Sequence, residues 1–409
     1  MTTDLAKHFL LDPEVVFLNH GSFGACPRPV FEEYQRWQRL LERQPVAFLD
    51  SRRALSSNLA LARAALAAEV GAPEDCLAQV INATTGLNIA LQSLPLKPGD
   101  EILTTDHEYS ALEKTLLFIT RRTGARIVVV EVPLPLTSAD AFEAALLAGM
   151  TARTRVLFLS HITSPTALLF PLERLIAEAR ARGIFSVIDG AHAPGHIPLD
   201  LEALGADIYS GNCHKWMMAP KGSAFLYVRA EWHAMIDPLV ISHGWTADDK
   251  IAGARGPLGA SAFVDAVEMQ GTRDPSAWLA VPAALDFRRA HDWWRVGAAC
   301  GRLAQETAGR LRDRFGLPPL SSPAFSAPQM VAIPLPPCDP QAVKEALWQD
   351  HRIEIPVFAW QGRAIARLSC QGYNSADDMD ILVKALGDLL AGEQHSRGAR
   401  AGGGAGGRA

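Results

Sequence analysis

Between about residues 75 and 230, short apolar runs alternate with stretches of helical periodicity. The runs are rich in Val, Ile, Leu and Phe, which is typical of strands covered on both faces. The stretch Leu172–Arg182 has apolar residues at helical spacing and is followed by Gly183, a common residue at helix ends. This alternation predicts a layered α/β body with a mostly parallel sheet. The predicted strands are Ala78–Asn82, Glu101–Thr105, Ile127–Val132, Arg155–Ser160, Ile184–Asp189, Ala206–Tyr209 and Ser223–Val228.

After about residue 275 the pattern changes to a second, smaller domain. The helices Ala277–Arg289 and Trp294–Phe315 lead into the Pro-rich stretch Leu317–Pro340, and the helix Ser375–Leu390 ends a short α+β segment. The last residues are rich in Gly and Arg and have no large apolar side chain, so burial cannot offset their ordering entropy. The predicted division is an N-terminal segment 1–30 that packs on the small domain or active site, a large domain 31–275, a small C-terminal domain 276–394 and a disordered tail 395–409.

Composition narrows the class of protein. The chain has 409 residues, of which 48% are hydrophobic and 20% charged, so it can bury a sizeable core. Lys and Arg number 39 against 44 Asp and Glu, and no basic block occurs, which argues against nucleic-acid binding. No long uncharged apolar run predicts a membrane span. The six scattered cysteines form no CxxC pair and no signal peptide is visible, so we expect a cytoplasmic protein.

Three predicted strands are followed by residues that can carry chemistry, and ligands gather at the carboxyl ends of strands in such sheets. Thr84 and Thr85 precede a helix, where hydroxyl and N–H groups form either an anion site or an ordinary cap. Asp189 ends a buried strand, where it either meets a cation or caps a turn. Lys215, flanked by His214 and Trp216, is either a desolvated nucleophile for carbonyls or a surface lysine. Together these groups predict a ligand that is a pyridine-type aldehyde phosphate.

The order of these motifs resembles the class V aminotransferase family of fold-type I enzymes that use pyridoxal phosphate (PLP). The resemblance extends from Phe17-Leu18-Asn19-His20-Gly21 to the helix after Tyr373-Asn374. Its nearest branch is the isopenicillin N epimerase-like group, and cysteine desulfurases are more distant. The resemblance implies a large domain with a mostly parallel sheet and a smaller α+β C-terminal domain.

The resemblance also implies roles for individual residues. Lys215 is similar to the lysine that forms the Schiff base with PLP, and Asp189 to the partner of the protonated pyridine nitrogen. His192 matches the residue that hydrogen-bonds the ring hydroxyl, and Ser164 is expected to face the cofactor. Thr272 matches a segment that reaches the phosphate of a neighbouring subunit, which implies a homodimer with shared active sites; a loop cap is the alternative. Implied phosphate contacts are Thr84, Thr85, His214 and Asn212, although Asn212 stands where desulfurases often have Ser.

Two further pairs of residues are expected in the active site. His107 matches the residue that stacks on the cofactor in desulfurases, while Tyr109 could instead stack or donate a proton. Arg367 resembles the arginine that holds the α-carboxylate of the amino acid, and its planar fork suits that group. His20 is expected to contact the substrate as well.

The resemblance implies an enzyme that acts at the Cα of an amino acid or an amino-acid-containing metabolite. Epimerisation is the leading prediction. β-Elimination with C–S cleavage and transamination share its carbanion and stay open, and a non-catalytic PLP-binding regulator is the alternative from another class. The segment Ile353–Ala366 contains no Cys, which disfavours a desulfurase that forms a persulfide. Pro194 and Gly195 interrupt the only spacing that suggests a metal, so no metal site is expected.

Overall fold

A computed structural model describes residues 3–246 and 255–402 of the chain. Its strands fall into three sheets, one of seven strands, one of three and one of two. The strands are β1 (Val16–Phe17), β2 (Leu77–Val80), β3 (Glu101–Thr105), β4 (Arg126–Val130), β5 (Thr154–Ser160), β6 (Phe185–Asp189), β7 (Ile208–Asn212), β8 (Ala224–Val228), β9 (Met330–Pro334), β10 (Ile353–Glu354), β11 (Val357–Trp360) and β12 (Arg363–Ser369).

The seven-stranded sheet has the order β2-β8-β7-β6-β5-β3-β4. All neighbouring pairs are parallel except those of β8, which runs antiparallel to both β2 and β7. The predicted mostly parallel sheet is therefore confirmed. Because β5, β6 and β7 run in the same direction, Ser160, Asp189 and Ser210 lie opposite one another in register at the same edge. This edge positions the candidate site.

Successive residues of the central strands pack into two different cores. Leu157 and Ile188 belong to one buried cluster, while Phe158 and Val187 belong to another. Helices therefore cover both faces of the sheet, which explains the continuous apolar runs in these strands. The helices are α1 (Thr3–Ala6), α2 (His20–Phe23), α3 (Arg28–Arg43), α4 (Pro45–Leu49), α5 (Leu55–Val70), α6 (Ala83–Ser93), α7 (Ser110–Thr123), α8 (Ala139–Gly149), α9 (Glu173–Ala181), α10 (Leu201–Leu204), α11 (Ala262–Glu268), α12 (Ser276–Leu279), α13 (Val281–Ala290), α14 (Trp293–Phe315), α15 (Pro340–His351) and α16 (Ala376–Gly402).

Several predicted elements differ from the observed ones, and two of the differences have a clear physical reason. The strand predicted at Ala206–Tyr209 ends three residues later than expected, because β7 continues through the small and polar residues Ser210-Gly211-Asn212. The helix predicted over Ala277–Arg289 is divided into α12 and α13 at Ala280. Pro282 explains the break, since a proline is favoured in the first turn of a helix and disfavoured inside it.

The smaller body consists of the antiparallel sheet β11-β12-β9, against which α14 and α15 pack. Near the N-terminus, β1 pairs with β10 in parallel, so residues 16–17 are attached to this body. The last helix α16 extends to Gly402, which includes the first part of the tail predicted to be disordered; residues 403–409 lie outside the described residues. No helix in the described ranges is long and apolar enough to cross a membrane.

Candidate active site

Lys215 lies in the turn after β7, at the carboxyl edge of the large sheet. Its Nζ is 3.1 Å from Nε2 of His192, which follows β6. Burial and, to a smaller extent, the nearby Arg367 lower the pKa of Lys215 to about 7, although Asp189 acts in the opposite direction. The lysine is therefore available as a neutral amine near neutral pH, which is the form that attacks a carbonyl.

Asp189 is the last residue of β6 and is 3% exposed. Its Oδ1 accepts a hydrogen bond of 2.9 Å from the backbone N–H of Ala191. Burial raises the pKa of Asp189 to about 6, while this hydrogen bond and Lys215 act to lower it. A buried carboxylate with so little compensation is suited to a cationic partner, such as a protonated pyridine nitrogen.

The start of α6 forms the third side of the site, and Asn212 supports it. The backbone N–H of Ala83 donates to Asn212 Oδ1 over 2.8 Å, and Asn212 Nδ2 donates to the carbonyl of Ala191 over 3.5 Å. The cofactor contact predicted for Asn212 stays a prediction, and the structure adds a supporting role for this residue. Its amide is used to join α6, β7 and the loop after β6, because β7 extends to this residue and directs it at the helix.

Several groups near α6 could hold a phosphate. Asn82 caps the helix by accepting from the Thr85 N–H and hydroxyl, which leaves the Thr84 hydroxyl available for a ligand. His214 donates through Nδ1 to the carbonyl of Ser223, so its Nε2 is left for another contact. Burial and Lys215 lower the pKa of His214 to about 4, and an anion at Nε2 would oppose this shift. A helix N-terminus of this kind is a common phosphate site.

His107 and Tyr109 differ in accessibility. His107 is fully buried, with its Nδ1 2.7 Å from the Thr166 hydroxyl and its ring packed on Trp360. It has no exposed face on which a cofactor could stack, so the stacking predicted for it is corrected to a packing position behind the site. Tyr109 is 41% exposed at the start of α7 and lies near Arg367.

Arg367 comes from β12 of the small body and is 5% exposed. Its Nη1 donates to both the carbonyl and the hydroxyl of Ser164, and Nη2 donates to the Ser22 hydroxyl. Its Nε is buried without a partner, and no Asp or Glu of the described residues forms an ion pair with it. Burial lowers the pKa of Arg367 to about 10. A buried guanidinium in this state is suited to a ligand carboxylate.

Two predicted site residues lie elsewhere. The ring of His20 is fully buried: Nδ1 is 3.0 Å from the Tyr373 hydroxyl, and Nε2 is 3.1 Å from the carbonyl of Lys215. His20 therefore supports the lysine turn from behind, and the predicted substrate contact is corrected. Thr272 is exposed at a separate cavity of about 680 Å³, which it shares with Arg63 and Arg255 and not with Lys215.

The structure also adds residues that the sequence did not single out. Glu108 is buried between the hydroxyls of Thr105 and Ser160, which donate to its carboxylate over 2.7 and 2.6 Å. Burial raises the pKa of Glu108 to about 8, and Asp189 adds to this shift. Trp216 donates its indole N–H to His192 Nδ1. Glu108 lies three residues after the end of β3, and this position was a signal for it. Nothing in the sequence indicated the contact between Trp216 and His192.

The residues present fit PLP. Lys215 can bond its aldehyde, Asp189 can pair with its ring nitrogen, and Thr84, His214 and the start of α6 can hold its phosphate. The orphaned Nε of Arg367 adds a place for a substrate carboxylate. Within the described ranges no cluster of His, Cys, Asp and Glu is arranged to hold a metal ion.

This combination of a mostly parallel sheet, a partly buried lysine after one strand and an acid after its neighbour defines a fold-type I, PLP-dependent enzyme. The chain matches the family Aminotransferase class-V over residues 27–382 and belongs to it.

Similar proteins cover most of its length. It is 37% identical to an isopenicillin N epimerase of Amycolatopsis lactamdurans, over 93% of this chain and 96% of the relative. It is 29% identical to an L-cysteine desulfhydrase of Arabidopsis thaliana, over 92% of this chain and 88% of the relative. A solved structure of the cystine C-S lyase C-DES with cysteine persulfide has a TM-score of 0.76 at 23% identity. The match covers 92% of this chain and 98% of that structure.

Proposed function

We propose that this enzyme removes the Cα proton of an amino acid, or of a metabolite that contains one, and epimerises that carbon. The observation that carries the proposal is the position of Lys215, a partly buried amine beside Asp189 and within electrostatic range of Arg367. A base, a partner for the ring nitrogen and a carboxylate site thus converge on one edge of the sheet. When bound, PLP supplies an aldehyde for Lys215 and a ring that delocalises the electron pair left at Cα.

The residues of the chain divide this work. Arg367 binds the α-carboxylate through its Nε and its remaining terminal N–H, while Ser164 and Ser22 hold the guanidinium plane. With PLP bound, Asp189 would keep a proton on the ring nitrogen, and Thr84 and His214 would hold the phosphate at the start of α6. The Nε2–H of His192, which faces Lys215 Nζ in the cofactor-free chain, would then be available to the ring hydroxyl. These contacts fix the Cα–H bond within reach of Lys215 Nζ.

Epimerisation requires protonation of Cα from the face opposite the base. We assign this step to Tyr109, which is 41% exposed and lies near Arg367, where the substrate carboxylate would be held. Lys215 removes the proton from one face, and Tyr109 supplies one to the other. The similarity to isopenicillin N epimerases supports this assignment.

The second candidate is C–S bond cleavage by β-elimination. The relatives that are L-cysteine desulfhydrases favour it, and the early steps need the same residues. In this reaction the Cβ–S bond breaks and the sulfur leaves as sulfide; the aminoacrylate that remains takes up water to give a keto acid and ammonia. It needs no proton donor on the second face. Cys370 is fully buried next to Met379 and cannot act as a persulfide carrier.

The test is incubation of the PLP-loaded enzyme with a panel of amino acids and small peptides in D₂O. Epimerisation gives deuterium at Cα together with inversion, detected by mass spectrometry and chiral chromatography. β-Elimination gives sulfide and a keto acid, and transamination gives a keto acid without sulfide. Tyr109→Phe should keep deuterium exchange with retention and lose inversion. Inversion at the wild-type rate in Tyr109→Phe contradicts the role of Tyr109.

Controls keep the cofactor and the reaction separate. Lys215→Ala should bind PLP without a borohydride-reducible bond and should exchange no Cα deuterium. A wild-type protein that takes up no PLP, or exchange that persists in Lys215→Ala, contradicts the proposed function as a whole. Tyr34→Phe, a partly buried tyrosine on α3, is the matched control and should leave both exchange and inversion unchanged.

We also propose that the enzyme is a cytoplasmic homodimer in which Thr272 contacts the partner's cofactor phosphate. The support is that Thr272 is exposed, away from Lys215, on a cavity lined by several charged residues. Sedimentation velocity should give a dimer. Mixing inactive Lys215→Ala with inactive Thr272 variants should restore part of the activity, whereas a monomer with full activity contradicts the shared site.

A further inference from the structure

Trp216 follows the lysine directly, and its indole N–H points at the histidine that contacts the amine. The distance from Trp216 Nε1 to His192 Nδ1 is 3.3 Å, and the distance from His192 Nε2 to Lys215 Nζ is 3.1 Å. All three groups thus form one chain of hydrogen bonds. Trp216 is fully buried and stacks on His196, with ring centroids 3.9 Å apart.

The chemistry of indole decides which nitrogen of His192 carries the proton. An indole N–H only donates, so His192 Nδ1 must accept and cannot carry a hydrogen. Burial lowers the pKa of His192 well below its usual value, and Lys215, Arg367 and His196 lower it further, so the ring is neutral. The single proton therefore lies on Nε2.

This tautomer sets the state of the lysine. An Nε2–H group donates, so Lys215 Nζ must accept and therefore has a lone pair. A protonated lysine would need the opposite tautomer of His192, in which Nδ1–H would face the indole N–H. We propose that Trp216 is a positioning residue that, through the tautomer of His192, holds Lys215 as a neutral amine. This inference rests on the proposed function of Lys215.

The remaining groups around Trp216 keep the indole in place. His196 stacks on it and is itself held, with Nδ1 donating to the carbonyl of His192 and Nε2 accepting from the Gln329 N–H. On another side, Arg288 donates to the Trp216 carbonyl over 2.8 Å. The indole therefore has a fixed orientation, which is what a group needs if it is to choose a tautomer.

Other charged and titratable groups also act on Lys215 and must be kept constant. Arg367 favours the neutral amine, while Asp189 favours the ammonium form. His214, the residue before the lysine, interacts with it too. None of these groups contacts the indole N–H, so a Trp216→Phe variant removes one hydrogen-bond donor and leaves the surrounding charges as they are.

The first experiment reads the tautomer directly in the cofactor-free protein. Histidine labelled with ¹⁵N shows which ring nitrogen is protonated through its chemical shifts, and His192→Gln identifies the signal. We expect the Nε2–H form in wild-type protein and a substantial fraction of the Nδ1–H form in Trp216→Phe. An unchanged Nε2–H signal in Trp216→Phe overturns the inference.

The second experiment measures the amine by its reaction with pyridoxal, which lacks the phosphate. The amine and the aldehyde condense to an imine with release of water, and only the neutral amine reacts. The rate should rise with pH through a midpoint near 7 in wild-type protein. In Trp216→Phe the midpoint should move up by about one pH unit. The loss of one hydrogen bond changes the free energy of protonating Lys215 by about the amount that one pH unit represents.

The two kinds of failure can be told apart. At pH 10 the variant and the wild type should react at similar rates, while near pH 7 the variant should be about fivefold slower. A rate that falls equally at all pH values, with no change in midpoint, contradicts the positioning role. If Lys215→Ala still reacts with pyridoxal at the same site, the proposed function fails instead. Trp278→Phe, which loses a buried indole N–H bonded to the Leu59 carbonyl, is the matched control. It should change neither the tautomer of His192 nor the pH midpoint of the reaction with pyridoxal.

Discussion

Arg367 of the small body donates two hydrogen bonds to Ser164 of the large body, one to its carbonyl over 2.6 Å and one to its hydroxyl over 2.9 Å. The pair joins β12 to the segment after β5, across the cleft between the two bodies. It leaves Nε of the guanidinium buried and without a partner. The arginine is thus held in a fixed plane by groups that do not neutralise it, so its charge remains for a ligand.

The first prediction concerns Arg367→Gln, which removes the guanidinium. Loss of a charge-assisted pair of hydrogen bonds should raise KM for the amino acid by about 100-fold. The affinity for PLP should change little, because Arg367 is assigned to the substrate. Steady-state kinetics and PLP titration measure the two effects. The KM of Arg367→Lys should lie between that of Arg367→Gln and that of the wild type, since lysine retains the charge without the planar fork.

Arg363→Gln is the control for this measurement, because Arg363 is an exposed arginine on the same strand. It should leave KM near the wild-type value. A KM that rises equally in both variants would show an effect of net charge, and it would contradict a specific carboxylate site at Arg367.

Asn212→Ala is expected to weaken cofactor binding through the start of α6. The variant leaves the buried N–H of Ala83 without its acceptor and loosens the start of α6. An unsatisfied group of this kind costs about 1–3 kcal/mol, so the Kd for PLP should rise by about tenfold or more. Gln92→Ala, on the same helix but near its end, should leave the Kd unchanged. An unaltered Kd in Asn212→Ala contradicts this role.

The positions of Lys215 and Asp189 could be predicted because the carboxyl edge of a parallel sheet collects whatever follows its strands. Both residues lie at this edge, and the strand Glu101–Thr105 was predicted with the observed bounds. The supporting contacts of Asn212 could not be predicted, for a physical reason. The strand was expected to end at Tyr209, yet backbone pairing with β8 continues through Asn212 and directs its amide at α6.

Other features depend on contacts between distant segments. The buried position of His107 results from Trp360, which comes from the small body. The hydrogen bond from Trp216 to His192 depends on the geometry of two loops, and neither loop shows it by its spacing. The sequence could place both His107 and Tyr109 after β3, but only the packed structure shows which of them is accessible.

Gln361, at the turn between β11 and β12, donates to the Asp106 carboxylate over 2.7 Å and so joins the small body to the loop that carries Tyr109. Gln361→Ala should loosen this contact and raise KM by about fivefold, with a smaller effect on kcat. Hydrogen exchange should become faster in the β11–β12 turn. Gln341→Ala, an exposed glutamine at the start of α15, is the control. Unchanged exchange and KM would contradict a coupling between the two bodies through Gln361.

Glu108→Gln should alter the dependence of stability on pH. The pKa of Glu108 is raised to about 8 in the folded protein, above its ordinary value of 4.5. Between these pH values the folded chain keeps a proton that the unfolded chain has released. The stabilisation from this proton is fully present below pH 4.5 and is lost as pH rises through 8. The wild type should therefore lose stability relative to Glu108→Gln over this range, by at most about 1.4 kcal/mol per pH unit.

Urea unfolding of the cofactor-free proteins at pH 5.5, 6.5 and 7.5 measures this difference in the free energy of unfolding. The raised pKa of Asp189 has the same sign and is present in both proteins, so it adds to the slope of both curves. Glu143→Gln, which breaks an ion pair with Arg174 far from the site, should change stability by a similar amount at all three pH values. If the curves of Glu108→Gln and the wild type are parallel, Glu108 does not hold the extra proton in the folded protein, and the carboxylate between Thr105 and Ser160 is ionised throughout.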